Sequence, residues 1–416
     1  MCGIVGFVGK QGNKEQILDD MMKVIIHRGP DSAGKYVNDQ VALGFRRLSI
    51  IDLENGSQPM FNEDGEVGIV FNGEIYNSPE LRERFLAKGH VFKNSSDTET
   101  LIHGYEEYGE KLVHELRGMF GFAIWDNKKK RLFMARDFFG IKPVYYAMIR
   151  GNLVFASEIK SILEFPGFKK EVNNEALEEY LSFQYSNLTE TFFKGVYRLL
   201  PGHYLTYQNG ELNVTQYFDP TLEPVSKDSQ EELVKKLTDV LEDSVDKHML
   251  ADVEVGAFLS SGVDSSYIAA KYSGKKTFTV GFFDKNNQYS ETQYAEECAK
   301  FLGLENYSHQ ITEEEYWGEM PKIMYHMDEP LADPAAIALY FVAREAAKQV
   351  KVVTSGEGAD EFFGGYTIYR EPLSLRWISW LPKSWRKSMA NLAEKLPEGM
   401  KGRSYIIRAS KSVEER

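Results

Sequence analysis

Between Ile4 and Gln208 the apolar positions come in short runs separated by turn-forming residues, the pattern of β-strands rather than of long helices. Runs over 67–71, 119–125, 132–135 and 153–156 predict strands, and the Asp126-Asn127 and Gly151-Asn152 pairs between neighbouring runs predict hairpin turns. Apolar residues at helical spacing over 14–26 and 97–108 predict two helices, so the first half reads as an α+β unit. After the polar stretch 219–230 the rhythm changes. A helix over 231–249 leads into buried strands over 253–259, 277–283 and 351–354, each followed by a turn and a helix, which predicts an α/β unit with a parallel sheet. No internal repeat interrupts this order. The boundary is expected within 210–225, with a first domain over 2–215 and a second over 216–416.

Composition narrows the functional classes. A chain of 416 residues exceeds one ordinary hydrophobic core, which agrees with two domains. No apolar run approaches the length of a membrane helix, and residues 1–10 lack the leading positive charge and cleavage site of a signal peptide, so a cytoplasmic protein without membrane contact is expected. A formal charge of −13 gives no overall attraction for nucleic acid and favours small-molecule substrates. The two cysteines, Cys2 and Cys298, cannot supply a disulfide framework. Cys298 falls in a helical pattern over 294–301 and is expected in a core.

Cys2 is the first candidate nucleophile. Removal of Met1 would leave an α-amino group beside the thiol, with a reference pKa of about 7.7 to 8, able to take the thiol proton and return it to a leaving amine. A small buried hydrophobe is an equally good account of Cys2 alone. Other segments decide. Asn72 and Gly73, placed at a sharp turn ending the strand, offer an amide and a backbone N–H for an oxyanion; Arg47 can grip a carboxylate bidentately. Glu74 and Asp97 can receive an ammonium group, although Asp97 could equally be a helix N-cap, and residues 27–31 read as a salt-bridged turn that shapes the pocket. Together with Cys2-Gly3-Ile4 these segments resemble the class II glutamine amidotransferase domain. The resemblance implies an Ntn-hydrolase-like αββα sandwich, Cys2 as nucleophile, Asn72 and Gly73 as oxyanion hole, and glutamine held by Arg47, Leu48, Ser49, Ile50, Ile51, Asn72, Gly73, Glu74 and Asp97.

In the second half, Leu259-Ser260-Ser261-Gly262-Val263-Asp264-Ser265-Ser266 joins a strand to a helix, so backbone N–H groups and hydroxyls converge on one anion. The loop lacks the Gly-Lys-Ser/Thr ending of a P-loop. It resembles the Ser-Gly-Gly-x-Asp-Ser loop of the ATP-pyrophosphatase family, with Ser261 in place of the first glycine. Ser355-Gly356-Glu357 and Asp360 follow another strand. Asp264 and Asp360 are candidate Mg²⁺ ligands and Glu357 a candidate catalytic contact to the acceptor or ammonia. A solvated acidic turn is the plainer account, against which the aromatic run at 362–366 argues for burial. Ser355 and Gly356 would join the ATP contacts. Val280, Gly281, Phe258 and Leu259 would line the adenine, a position that core packing explains equally well.

Both halves in this order resemble the glutamine-dependent asparagine synthetase family across essentially the whole chain. The resemblance implies a ligase using glutamine, ATP, Mg²⁺ and aspartate, with β-aspartyl-AMP as intermediate and a homodimer as assembly. It departs at 328–338, where alanines stand in place of the family's aspartate-holding Thr and Arg. Another carboxylate acceptor, such as diaminopimelate in cell-wall precursors, is therefore the alternative substrate. The second domain is expected to be shortened, since Glu414-Glu415-Arg416 comes before the family's active-site lysine. A glutaminase or glutamine-binding regulator with an inactive second half follows as a further alternative. A β-lactam synthetase is disfavoured, because such relatives lack a working amino-terminal cysteine site.

Overall fold

The computed structural model describes residues 1–221, 226–283, 292–397 and 399–412; the chain-end motif at 414–416 lies outside them. In the first half the strands are β1 (Gly3–Val8), β2 (Ser32–Val37), β3 (Val41–Arg47), β4 (Met60–Phe61), β5 (Val67–Ile75), β6 (Gly118–Asp126), β7 (Arg131–Arg136), β8 (Tyr145–Ile149), β9 (Asn152–Ala156), β10 (Val196–Arg198), β11 (His203–Gln208) and β12 (Glu211–Gln216). They form two six-stranded sheets, ordered β10-β8-β9-β1-β3-β2 and β12-β11-β7-β6-β5-β4. Alternate side chains sort these sheets into four layers. Ile4, Leu43, Phe45, Val70, Ala123, Trp125 and Phe155 meet between the sheets. Val5, Phe7 and Ala42 turn outward onto Ile17, Leu18 and Met21 of the helix Lys14–Lys23. On the other side Ile69, Phe71, Phe120 and Phe122 pack on Leu81, Phe85, Leu101 and Ile102 of the helices Ser78–Ala87 and Asp97–Tyr108. The result is the expected αββα sandwich.

Local sequence accounts for the connections. In the β8–β9 hairpin both Arg150 (φ 49°) and Gly151 (φ 78°) are left-handed, as a tight primed turn requires, so the turn centres one residue before the Gly151-Asn152 pair. Asp126 closes the β6–β7 turn by accepting the Lys129 N–H at 2.9 Å. The predicted helix 14–26 stops at Lys23 and gives way to a 3₁₀ turn over Ile26–Arg28, while the helix over Asp97–Tyr108 has the predicted bounds.

Among the described residues the second half holds four strands, β13 (Val255–Phe258), β14 (Lys276–Phe282), β15 (Glu305–Ile311) and β16 (Val352–Thr354), in the order β15-β14-β13-β16 and all parallel. Helices cover both faces. Leu259, Ala269, Ala295 and Ala299 pack with Cys298 on one side, and Phe278, Val342, Ala346 and Val350 on the other. Cys298, expected in a core, is half-buried against the margin of the Leu259 cluster. The burial expected at 362–366 is not found, since Phe362 and Phe363 are 55% and 54% exposed. No described helix is long and apolar enough to cross a membrane.

Candidate active site

Cys2 leads directly into β1, and pairing of Gly3 with Arg46 brings Leu48 beside the thiol. The Leu48 N–H lies 3.4 Å from Sγ and the Leu48 carbonyl oxygen 3.5 Å from it. Arg28 Nε donates to the Cys2 carbonyl at 2.9 Å, and its Nη1 donates to Glu158 at 2.9 Å. Glu158 also lies 3.0 Å from His27 Nε2, which makes residues 27 and 28 the expected salt-bridged turn. Burial pushes the thiol above its ordinary value, while the Leu48 N–H, the terminal ammonium, Arg28 and Arg47 pull it down. Burial likewise pushes the α-ammonium of Met1 down to about 5. The Cys2 thiol and the neutral amine of Met1 therefore share one desolvated corner.

Asn72, Gly73 and Glu74 approach this corner from β5. The sequence places Asn72 and Gly73 at a turn, but the strand continues to Ile75, with Asn72 opposite Gly121 and Gly73 opposite Phe120. Strand alternation explains the outcome: Phe71 faces the helices, so Asn72 and Glu74 share the opposite face. Asn72 is 1% exposed, and its Nδ2 has no hydrogen-bond partner among the described residues. Gly73 has no room for a side chain, because a Cβ would stand 2.1 Å from the Met119 carbonyl oxygen. Asp97 is not the N-cap of its helix. Ser96 caps it by accepting the Thr98 N–H at 3.1 Å, which frees Asp97 to accept the Ile75 N–H at 2.9 Å.

Burial, then the neighbouring Asp97 charge, pushes Glu74 up to about 7, against the pull of Lys142. Burial raises Asp97 to about 6, opposed by the N–H groups of Ile75 and Thr98. Two desolvated carboxyl groups thus face a pocket lined also by Cys2, Arg47, Leu48, Ile50, Ile51 and Lys142. Arg47 curls the following loop, donating from Nη1 to Leu53 O at 3.1 Å and from Nη2 to Asp52 O at 2.6 Å. Ser49 is tied to Asp31, whose carboxylate accepts its N–H at 2.9 Å.

Lys142 is absent from the sequence reading. It is 5% exposed, burial pushes it down to about 8, and Glu74 opposes that shift. Asp137 builds its loop by accepting the N–H groups of Ile141 and Lys142, each at 2.9 Å. The visible signal is an Arg-Asp pair ending a buried strand just before Gly140. Gln58 is also unforeseen: its Oε1 accepts the Phe71 N–H at 2.6 Å and its Nε2 donates to Thr98 at 3.2 Å, inside the same pocket.

In the second half Ser260 and Ser265 face each other, with hydroxyl oxygens 3.1 Å apart, where β13 gives way to the helix Val263–Lys271. Asp264 stands in the first turn of that helix. Ser261 is left-handed at φ 67°. Gly356 abuts this turn so closely that a Cβ would lie 2.9 Å from Asp264 Cβ and 3.0 Å from Ser265 N. The two loops are therefore brought together at the carboxyl ends of adjacent strands β13 and β16. Glu357 is exposed, and Asp360 opens the short helix Ala359–Phe363. Leu259 is core: its side chain packs on Ala269 and Ala295, its N–H donates to Phe278 O at 2.9 Å and its carbonyl accepts from Thr279 at 2.7 Å. Phe258 and Val280 are partly buried against Phe278.

The amino ends of the same two strands touch the first half on either side of the β2–β3 pair. Asp252 accepts the Asp52 N–H at 2.8 Å and donates its own N–H to Ile50 O at 3.0 Å, while Lys351 Nζ lies 2.6 Å from Asp31. Farther along, Asp328 pairs with Lys160 at 2.8 Å and Glu329 with Arg198 at 2.8 Å.

Family comparison agrees with this geometry. Residues 1–218 match the model of a glutamine amidotransferase domain, and residues 236–413 match that of asparagine synthase. Asparagine synthetase [glutamine-hydrolyzing] 1 of Bacillus subtilis is 46% identical over all of this chain and 67% of its own length. A putative asparagine synthetase [glutamine-hydrolyzing] of Mycobacterium tuberculosis is 42% identical over all of this chain and 68% of its own. The chain thus spans about two thirds of the length of these relatives. Among solved structures, a glutamine phosphoribosylpyrophosphate amidotransferase from Bacillus subtilis matches at a TM-score of 0.40 and 16% identity, over 74% of this chain and 65% of that one. With both domain models matched in order, and with relatives this similar over its full length, the chain belongs to the family of glutamine-hydrolysing asparagine synthetases.

Proposed function

We propose that the chain is a ligase that releases ammonia from glutamine at Cys2, in a unit over 2–215, and delivers it to an adenylated carboxylate in a unit over 216–416. The observation that carries this is the pocket in which the Cys2 thiol, the unpartnered Asn72 amide and the Glu74–Asp97 pair converge. With Met1 removed, Sγ attacks the glutamine carboxamide carbon, the α-amine of Cys2 takes the thiol proton, and the same proton leaves with ammonia. Water then cleaves the thioester to glutamate. Asn72 Nδ2 and the Gly73 N–H bind the oxyanion. Glu74 and Asp97 receive the α-ammonium of glutamine, and Arg47 with residues 48–51 its α-carboxylate.

In the second unit ATP binds over Ser260, Ser261, Gly262, Val263 and Ser265, with Ser355 and Gly356 on the facing loop. Phe258 and Val280 lie beside the base. The aspartate β-carboxylate attacks the α-phosphate, pyrophosphate leaves, and ammonia displaces AMP to give asparagine. Asp264 and Asp360 fit a Mg²⁺ site, since Asp264 opens a helix at the serine-rich turn and Gly356 allows the second loop to approach it. Mg²⁺ there would offset phosphate charge. Glu357 is the candidate contact to acceptor or ammonia.

One observation favours a different acceptor. Residues 328–338 contain no Lys or Arg, and the Asp328 and Glu329 carboxylates are paired with Lys160 and Arg198, so the segment itself offers no cation to a small dicarboxylate. A larger carboxylate such as diaminopimelate in a cell-wall precursor suits such a surface. The test is AMP and pyrophosphate formation with glutamine, comparing L-aspartate, diaminopimelate-containing peptides and no acceptor. Aspartate-dependent turnover supports the first acceptor, peptide-dependent turnover the second, and glutamine hydrolysis without either overturns the ligase assignment.

A further inference from the structure

Away from both sites, three segments of the first half bring two imidazoles and a carboxylate together. Glu63 lies in the turn between β4 and β5, His90 follows the helix Ser78–Ala87, and His103 is in the helix Asp97–Tyr108. One nitrogen from each ring and one Glu63 carboxylate oxygen all lie within 4.8 Å of one another. The ring centroids are 4.6 Å apart. His103 is 1% exposed, and its Nε2 has no hydrogen-bond partner among the described residues. A buried nitrogen left in that state is destabilising unless something supplies a bond.

Carboxylates of the helix Asp97–Tyr108 flank both rings. His103 Nδ1 lies 3.0 Å from Glu106 Oε2, and Asn62 Nδ2 donates to the other oxygen of Glu106 at 2.7 Å. His90 Nε2 lies 3.0 Å from Glu107 Oε1. The carboxylate on His103 Nδ1 raises the basicity of its free Nε2, the usual outer support of a metal-bound histidine, whereas His90 Nδ1 lies 3.6 Å from Glu106 Oε2, a contact that an ion bound there would replace. Phe92 packs edge-on to His103 at 4.6 Å and walls the inner side, whereas Glu63 is exposed and gives solvent access.

We propose that Glu63, His90 and His103 form a binding site for a divalent transition-metal ion of the zinc class, through two imidazole nitrogens and one carboxylate oxygen, with water completing the shell. Two nitrogens and one oxygen suit zinc and its neighbours rather than Mg²⁺. Ligand atoms around a tetrahedral ion stand about 3.3 Å apart, so binding draws the three side chains inward. The ion would tie both helices to the β4–β5 turn. The helix so fixed begins at Asp97 in the Cys2 pocket.

The full chain, freed of metal with a chelator, is titrated with Zn²⁺ and with Co²⁺ while the unfolding midpoint and the visible spectrum are followed. The expected result is one bound equivalent, a higher midpoint, and weak visible Co²⁺ bands without the strong near-ultraviolet absorption of thiolate ligation. Glu63→Gln and His90→Gln should each weaken binding at least about tenfold, with an unchanged metal-free midpoint showing that the fold survives. No midpoint or spectral change in the unaltered chain overturns the proposal. So does undiminished binding in either variant, or a thiolate band that disappears with Cys2→Ala.

Discussion

Asn72, Glu74 and Asp97 lie at 1%, 5% and 6% exposure in the Cys2 pocket, whereas Ser260, Asp264 and Glu357 stand exposed at the carboxyl end of the parallel sheet. The cores differ in the same sense: among the described residues, only Phe278 and Phe341 of the largest fully buried side chains belong to the second half. The contrast fits the two chemistries. Amide hydrolysis needs fixed donors and a dry nucleophile, so a rigid four-layer frame holds unsatisfied polar groups in place before substrate arrives. Phosphate chemistry draws much of its order from the nucleotide itself, which can assemble open loops as it binds.

The sharpest way to separate the halves is at Cys2. Cys2→Ala should lower glutamine-dependent product formation by at least about 10⁴-fold, while product formed from ammonia stays within about twofold. Parallel assays with the two nitrogen donors check this. Loss of both activities would mean that the pocket and the second site are not separable.

Asn72→Ala should reduce glutaminase kcat by about 10² to 10³. Its KM for glutamine should move much less, because the donor acts on the developing oxyanion. Steady-state kinetics decides, and a change confined to KM would remove Asn72 from the oxyanion hole.

Glu74→Gln tests whether the dry pocket is held at the expense of stability. Glu74 is pushed up from 4.5 to about 7, so the folded state binds its proton more tightly than the unfolded state does. Stability conferred by that proton is complete below about 4.5 and is lost as pH rises through 7. The variant should therefore be more stable than the parent at pH 8, by on the order of 1–3 kcal/mol, with the difference vanishing below about pH 4.5. Its KM for glutamine should rise. The parent's own KM should also rise as pH falls below 7, since protonated Glu74 and Asp97 no longer pair with an ammonium group. Denaturant melts across pH and glutamine kinetics provide the two readouts.

What the sequence made legible follows from how local each signal is. The Asp97–Tyr108 helix and the β6–β7 and β8–β9 hairpins are specified by periodicity and turn residues within a few positions. β15, with the sequence Glu-Asn-Tyr-Ser-His-Gln-Ile, is nearly all polar, and its pairing with β14 depends on a neighbour distant in the chain. The same holds in the pocket. Cys2, Arg47, Asn72, Glu74 and Asp97 stand out by residue type, whereas Lys142 is signalled only indirectly, by the Arg-Asp pair that builds its loop, and Gln58 enters through a hydrogen bond to Phe71 that no local pattern announces. The Asn72-Gly73 pair reads as a turn because its residues favour turns, but its pairing across Gly121 and Phe120 keeps it in the strand.

The smallest effect belongs to the exposed half, at Ser261. The sequence flags it only as a serine where related loops have glycine; the fold places it at φ 67°, a region where a Cβ is unfavourable by about 1 kcal/mol. Gly262 beside it is exposed, and a Cβ there would meet only the Ser260 and Ser265 hydroxyls at 3.4 and 3.9 Å. Ser261→Gly should therefore relieve strain and raise stability by a few tenths to about 1 kcal/mol, less the extra freedom that glycine gives the unfolded chain. If the strained serine serves to hold the loop ready for phosphate, the variant should also bind ATP more weakly, by a few fold. A stability gain with unchanged ATP affinity would show that the second site is organised by its ligand rather than by its backbone. A stability loss would show that the loop is held as rigidly as the pocket around Cys2.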